Sequence, residues 1–513
     1  MRRLQTFSLL CLIAAGAWNL CRADAVANPN IVLNGTITHA QNQTYVKVPF
    51  RVPAGVYRIT VTFHYTGKKQ LTRLDLGIFD PQRFRGSSGG NKDRFTISAT
   101  DATPSYLPGP IVEGTWRLLI AVPNIRPGVI SHYQADVFFS FDNHPKIESF
   151  ADGPLRSGPA WYRGDLHMHT AHSDGSCPSQ TGKPVPCPVF VTAEAAVRRG
   201  LDFIAITDHN TTSQYDAERE LQPYFDKLLF IPGREVTTFQ GHAGVLGTTR
   251  PIDYRIGTPG VPDMNTVARE ADRLGAIISI NHPNAPSGEI CLGCGWHPNP
   301  PADLHLFAAI EAVNGGAMRG PYSGVSFWEN ALNRGHRITG IGGSDNHHGD
   351  WPVSHPDSVG LPTTVVYAQS LSVPAILSGI RAGHVFVDLT GSRNRMLEMT
   401  ATASGQLATI MGDALQAASG SAVQVTVQVV GCSGWTLKML DDGHNDPALA
   451  SHVLSKDDET LHFTWTSDGK QHWILPQVNT PDGNLELLGN PIYVNYSSAM
   501  GTAAQLVAGS SRK

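Results

Sequence analysis

Apolar and polar residues alternate in short runs through the first part of the chain. YVKVPFRV (45–52), GVYRITVTFHY (55–65), TWRLLIAV (115–122) and YQADVFFSF (133–141) each put every second side chain on one face. Turn-rich stretches such as KKQLTRLDLG and FRGSSGGNKD separate them, which predicts an N-terminal β-sandwich over residues 26–150. At about residue 159 the cadence changes. Apolar runs (FIAITDH, LLFIPGREV, AGVLG, AIISINHP, AAIEAVNG, ITGIGGSDNHH, TTVVYA) end in polar tips. Helical patterns fall at 192–199, 263–274, 325–334 and 372–382, the last with Ser372 as N-cap and Gly383 as stop. Strands alternating with helices predict parallel βαβ units, and about seven of them predict a closed α/β barrel over 159–390 with its chemistry at the carboxyl ends of the strands. From 391 to 500 strand-like runs return (AVQVTVQVVG, GWTLKML, LHFTWTS, PIYVNY), predicting a C-terminal β domain.

Residues 1–25 read as a signal peptide rather than fold: Arg2 and Arg3 lead the apolar run SLLCLIAAGAW, and Ala23-Asp24-Ala25 is a small-x-small cleavage signal. Cys11 and Cys21 lack the preceding small residue of a lipoprotein signal, so no lipid anchor is expected and the mature chain is expected to be exported, periplasmic or secreted. Without this segment 36 basic and 42 acidic residues remain, a net charge of −6 that carries no footprint for duplex nucleic acid. Five cysteines remain. Outside the cytosol Cys177 with Cys187 and Cys291 with Cys294 are candidate disulfides, a four-cysteine zinc site being the alternative, and Cys432 is left over.

The polar tips change the picture most. GDLHMHTAHSDG (164–175) places His167 and His169 two residues apart, so at a strand end both imidazoles share a face. Later tips supply Asp208-His209, Glu235, His242, His282, Glu311 and Asp345-Asn346-His347-His348. Repeated landing of such side chains at the ends of apolar runs points to a metal site. Imidazole and carboxylate donors suit Zn, Mn or Fe, and paired ions sharing a carboxylate make hydroxide nucleophilic at neutral pH. No Gly-x-Ser-x-Gly offers a serine nucleophile instead.

The motifs DLHMHT (165–170), SDG (173–175), TDH (207–209), G-x-E (233–235), NHP (281–283) and SD-x-H (344–347) resemble the PHP (polymerase and histidinol phosphatase) superfamily. REVTTFQGHAGVLG and the closing NPIYVNY are most similar to its CehA/McbA branch. The resemblance spans about 160–390 plus the C-terminal appendage and leaves the N-terminal sandwich aside. It implies a distorted (β/α)7 barrel holding two or three divalent ions. His167, His169, Glu235 and Asp345 would hold the first, and Glu235 would bridge to a second held by His242 and His282. A third would use His209 and His347 with Asp174 or His172; without it these groups would bind substrate or protonate the leaving group. The resemblance also gives Asp208 the task of orienting His209, matches Glu311 and Asn314 loosely, and leaves His348 to solvent or a pocket wall.

The expected activity is that of a metal-dependent hydrolase, first a phosphoesterase on nucleotides or other small phosphoesters. A carbamate or carboxylic ester hydrolase is the rival, and a secreted binding protein with a vestigial barrel is the reading of a different class. A phosphate would need cations such as Lys183, Arg234 or Arg319, whereas an aryl carbamate would need apolar walls such as Phe190, Phe239, Trp296 or Trp328.

Overall fold

The structure, a computed structural model, describes residues 28–289, 291 and 293–496. The expected signal peptide lies outside the described residues. Eight strands between Ile31 and Phe141 form two four-stranded antiparallel sheets. Their alternating side chains enclose one core, with Ile59, Val61 and Phe63 from one sheet facing Trp116, Leu118 and Ile120 from the other.

A buried ionic network fastens this sandwich to the rest of the chain. Arg58 donates from Nη1 and Nη2 to the Asp101 carboxylate (2.9 Å each), from Nη2 to Glu148 (2.7 Å) and to Thr249 Oγ1 (3.0 Å). Arg219, on the helix Gln214–Leu221, donates to the same Asp101. The opposed charges and hydrogen bonds compensate for taking these groups out of water.

The central region is mixed α/β but does not build the expected alternation of parallel strands and seven helices. Five helices accompany its strands: Val189–Arg199, Gln214–Leu221, Met264–Arg273, Val325–Asn333 and Val373–Ala382. Strands Arg156–Asp165, Phe203–Ile204 and Leu229–Phe230 run parallel in one sheet. Gly233–Thr238, Gly241–Leu246, Ile277–Ile280, Ala309–Asn314 and Thr339–Gly343 form a second. Gly233–Thr238 and Gly241–Leu246 are joined by only Phe239 and Gln240, and a two-residue link cannot return a chain in parallel, so this pair is antiparallel. Two single bridges, Met168 with Asn346 and His209 with Glu235, connect the sheets. No described helix is long and apolar enough to cross a membrane.

Near residue 390 the sheet is continuous: Val385–Asp388 pairs with Leu485–Gly489, so strands of the closing region extend the first central sheet to twelve. A four-stranded sheet containing Met396–Ala403, Ala422–Val430 and Asp458–Thr466 covers it. In Ala422–Val430, Val423, Val425, Val427 and Val429 are buried while alternate residues face outward, each burial contributing roughly 1.5–3 kcal/mol.

Candidate metal centre

The candidate ligands lie at or near strand ends, except Glu235, which stands inside its strand. His167 and His169 follow the strand Arg156–Asp165, and their Nε2 atoms converge on Asp345 Oδ1 at 3.2 and 3.1 Å, while Met168 between them turns into the core. Glu235 sits on Gly233–Thr238. His242 lies across the hairpin opposite Thr237, which puts Glu235, Thr237 and His242 on one face. His282 and Asp345 both have left-handed backbone, φ 26° and 53°. Such conformations in residues other than glycine concentrate where surrounding structure enforces them. Here His282 N donates to Glu311 Oε2 (2.9 Å), and Asp345 N donates to the His167 carbonyl (2.8 Å).

Glu235 is the hub. One or other of its oxygens lies 3.2 Å from His167 Nε2, 3.8 Å from His169 Nε2, 2.9 Å from His209 Nδ1, 3.5 Å from His242 Nδ1 and 3.1 Å from His282 Nε2. Burial alone would keep its carboxyl protonated, but the charges of His167 and His242 hold it well below the usual carboxylate range. Burial likewise opposes ionisation of Asp345, and His167, His169 and His282 overcome it. Burial and repulsion from His347 and His209 lower the pKa of His169 despite the attraction of Asp345.

Whether these residues fit metal ions is tested by their unpartnered atoms. His167 Nε2, His169 Nδ1, Glu235 Oε2, both ring nitrogens of His242 and His282 Nδ1 are buried without a hydrogen-bond partner. Although His167 Nε2 is 3.2 Å from both Glu235 and Asp345, it makes no hydrogen bond of good geometry with either. Buried polar atoms left unpaired are costly, and a shared cation would satisfy several at once. Ligand atoms gather within 4.8 Å in three inner groups (His167, His169, Glu235; His167, His282, Asp345; Glu235, His242, His282) and one outer group (His169, Asp174, His209, His347). A further described group, Asp441, Asp442 and His472, lies in the C-terminal region, where hydrogen bonds from Trp465 and within the group occupy it.

The outer group includes Asp174 and leaves out His172, whose Nδ1 is 2.8 Å from Ser213 Oγ. Asp174 lies 3.4 Å from His347 Nε2 and 3.7 Å from His209 Nε2. Burial disfavours its charge, yet the hydrogen bond and charge of His347 hold the carboxyl below the ordinary range. Burial opposes the charge of His347 in turn, but Asp174 and Asp345 raise its pKa to about 9. Asp208 does not orient His209. It accepts from Thr170 N and Oγ1 (2.7 Å each) and from Ser173 Oγ (2.6 Å), so it shapes the 170–174 loop, and His209 is instead held by Thr237 Oγ1, 2.6 Å from its Nδ1.

Two supports were weakly marked in the sequence. Glu311 lies 3.0 Å from His167 Nδ1 and accepts from Asn314 Nδ2 (3.1 Å), re-aimed by a bulge in its strand. Asn281 Nδ2 donates to Glu235 Oε1 (2.9 Å); the sequence marked it only as the first residue of NHP at the tip of an apolar run, with no role of its own. Glycine is required at 343, where a Cβ would stand 2.3 Å from Glu311 Oε1 and 2.5 Å from His167 Cβ. His348 stacks on Trp351, ring centroids 4.2 Å apart. Of the expected apolar walls, Trp328 is buried core, Phe190 packs on Tyr224 and Phe225, Trp296 packs on Phe307, and Phe239 is 85% exposed. Among the candidate cations Arg234 is buried and donates to the Arg250 carbonyl, Arg319 pairs with Glu486 at 2.7 Å, and Lys183 is exposed.

No protein-family model matches the chain, and no curated protein matches it. Likeness to solved structures includes two cases. A two-domain protein from Bacteroides vulgatus containing a predicted PHP-like metal-dependent phosphoesterase is 18% identical, with a TM-score of 0.36, over 68% of this chain and 99% of that one. The CARDB domain of a Pyrococcus furiosus protein is 13% identical, with a TM-score of 0.14, over 20% of this chain and 97% of that one. Scores this low decide neither fold nor function, and the chemistry rests on the site itself.

Proposed function

We propose that the chain is an exported, metal-dependent hydrolase of the PHP type, within the CehA/McbA branch, acting as a phosphoesterase on nucleotides or other small phosphoesters. The observation that carries this reading is the convergence of buried, unpartnered histidine and carboxylate atoms on Glu235. The two single bridges joining the central sheets support a distorted ring around them. The bonded pairs Cys177–Cys187 and Cys291–Cys294 fit an oxidising compartment.

His167, His169, Glu235 and Asp345 would hold one ion, Glu235, His242 and His282 a second, and Asp174, His209 and His347 a third. When bound, such ions supply Lewis-acid charge for a developing oxyanion and a nucleophile at neutral pH. The chain's own residues do the positioning. Glu311 beside Nδ1 of His167 leaves Nε2 free to coordinate, and Asn281 fixes the Glu235 carboxylate. With the outer group free of an ion, His347, which faces Asp174 at 3.4 Å, is the residue that would protonate a leaving group.

A second reading, hydrolysis of an aryl carbamate or carboxylic ester, is favoured by the engagement of Arg234 and Arg319 elsewhere and by the exposure of Phe239. Hydrolysis of an aryl phosphodiester and an aryl methylcarbamate by metal-analysed protein, with Asp345→Asn as the blank, separates the two. Faster phosphodiester cleavage is expected. Faster carbamate cleavage would transfer the assignment to the second reading, and absence of both bound ions and turnover would leave the secreted binding protein.

A further inference from the structure

The inner and outer groups are held in different ways. The inner ligands stand on or next to core strands, whereas the side chain of Asp174 is 58% exposed and its closest imidazole is 3.4 Å away. Its position is therefore set by the backbone of residues 170–188. Gly175 N donates to Thr170 O (2.9 Å), Ala171 N to Cys187 O (2.7 Å) and Cys187 N to Gly175 O (2.9 Å), which brackets Asp174 between fixed points. Gly175 packs so close that a Cβ there would lie 2.5 Å from the His169 carbonyl oxygen. On the other side, Ser176 N donates to the His347 carbonyl (2.8 Å), and Ser176 Oγ is 3.1 Å from His348 Nδ1. One short segment thus ties Asp174 to His347.

That segment cannot hold itself together by strand pairing. Ser176–Pro178 pairs with Pro184–Pro186, and three of these six residues are prolines without an N–H to donate. A two-stranded hairpin is marginal in water even with a full ladder. The Cys177–Cys187 disulfide closes it, with both cysteines buried.

We infer that Cys177–Cys187 is a positioning disulfide for the outer group, holding Asp174 and His347 where they can share an ion, while the inner group stands without it. The inference rests on reading the outer group as an ion site. Cys291–Cys294 serves as an internal control for the outer group, since the hydrogen bonds beside it run to the hairpin tip, His297 N to Gln240 O, and to the inner side of the site, Trp296 N to Pro283 O next to His282.

The test compares the native protein, Cys177→Ala/Cys187→Ala and Cys291→Ala/Cys294→Ala, each titrated with Mn2+ and read as ions bound per chain and by electron paramagnetic resonance. The Cys177/Cys187 variant should keep the tightly bound inner ions and bind the outer ion about 10- to 100-fold more weakly, with occupancy recovered at high Mn2+. The control pair should match native protein in its affinity for the outer ion. Retention of the inner ions reports that the variant is folded. Equal outer affinity in all three proteins, no outer ion in native protein, or simultaneous loss of every ion from the variant would each overturn the inference. A native protein that binds no Mn2+ at all would instead sink the proposed function.

Discussion

Asp345→Asn should remove turnover while leaving the fold intact. Asn has nearly the same volume and tolerates left-handed backbone, so φ of 53° at this position adds no new strain. What disappears is a negative charge 3.2 Å from His167 Nε2 and 3.1 Å from His169 Nε2. Glu311 sets the scale. It sits behind His167 and His282, and losing such a supporting partner typically costs about 10- to 100-fold, or about 1.4–2.7 kcal/mol. Asp345 faces the candidate ion position directly, so its loss should exceed that range, about 1,000-fold or more, which is about 4 kcal/mol of transition-state stabilisation. The assay is kcat/KM on an aryl phosphodiester for native protein, Glu311→Gln and Asp345→Asn, with ions per chain and Tm measured on the same samples. Activity should fall in that order while each protein stays folded at the assay temperature, its Tm falling as the weakened ion binding requires. Asp345→Asn within tenfold of native at native ion content, or Glu311→Gln the worse of the two, would refute the assignment.

Three other outcomes follow from the same structure. Chelation should lower Tm, and re-added Mn2+ should restore it in proportion to the logarithm of free ion, reaching about 4 kcal/mol at 1,000 times Kd; no shift would mean that the buried imidazoles need no ion. Asp101 is held below the usual carboxylate range because Arg58 and Arg219 outweigh its burial, so the folded state binds fewer protons there than the unfolded chain. Docking of the sandwich should therefore be fully stable above about pH 4 and weaken as pH falls through that region, and Asp101→Asn should cost about 3–5 kcal/mol by limited proteolysis or urea unfolding. Glu218 has the opposite sign. Buried with both oxygens unpartnered, it has a pKa raised first by burial and then by Asp208 and Asp101, so stability declines as pH rises above the unfolded value, and Glu218→Gln should flatten that decline in urea titrations between pH 5 and 9.

Four helices were legible because their signals are local: Asp263 and Ser372 cap by accepting from Thr266 N and Ala375 N, and Gly383 stops its helix at φ 76°. The helix Gln214–Leu221 was missed because its buried face is Gln214, Tyr215 and Glu218, which shows no apolar period. The hairpin carrying Glu235 and His242 departs from the parallel order the sequence predicts, since apolar runs do not disclose direction.

By itself the sequence determined which polar side chains fall at or near the ends of apolar runs, because such runs are short-range properties; His167, His169, Glu235, His242, His282 and Asp345 could all be named from it. Only the tertiary structure placed Asp174 rather than His172 beside His209 and His347, turned Asp208 to the 170–174 loop, and brought Asn281 and Glu311 behind the candidate ligands. Each of those outcomes depends on where a loop or strand meets a residue 29 to 144 positions away, as His282 and His167 meet Glu311, and such meetings are settled by packing and hydrogen-bond geometry rather than by local pattern.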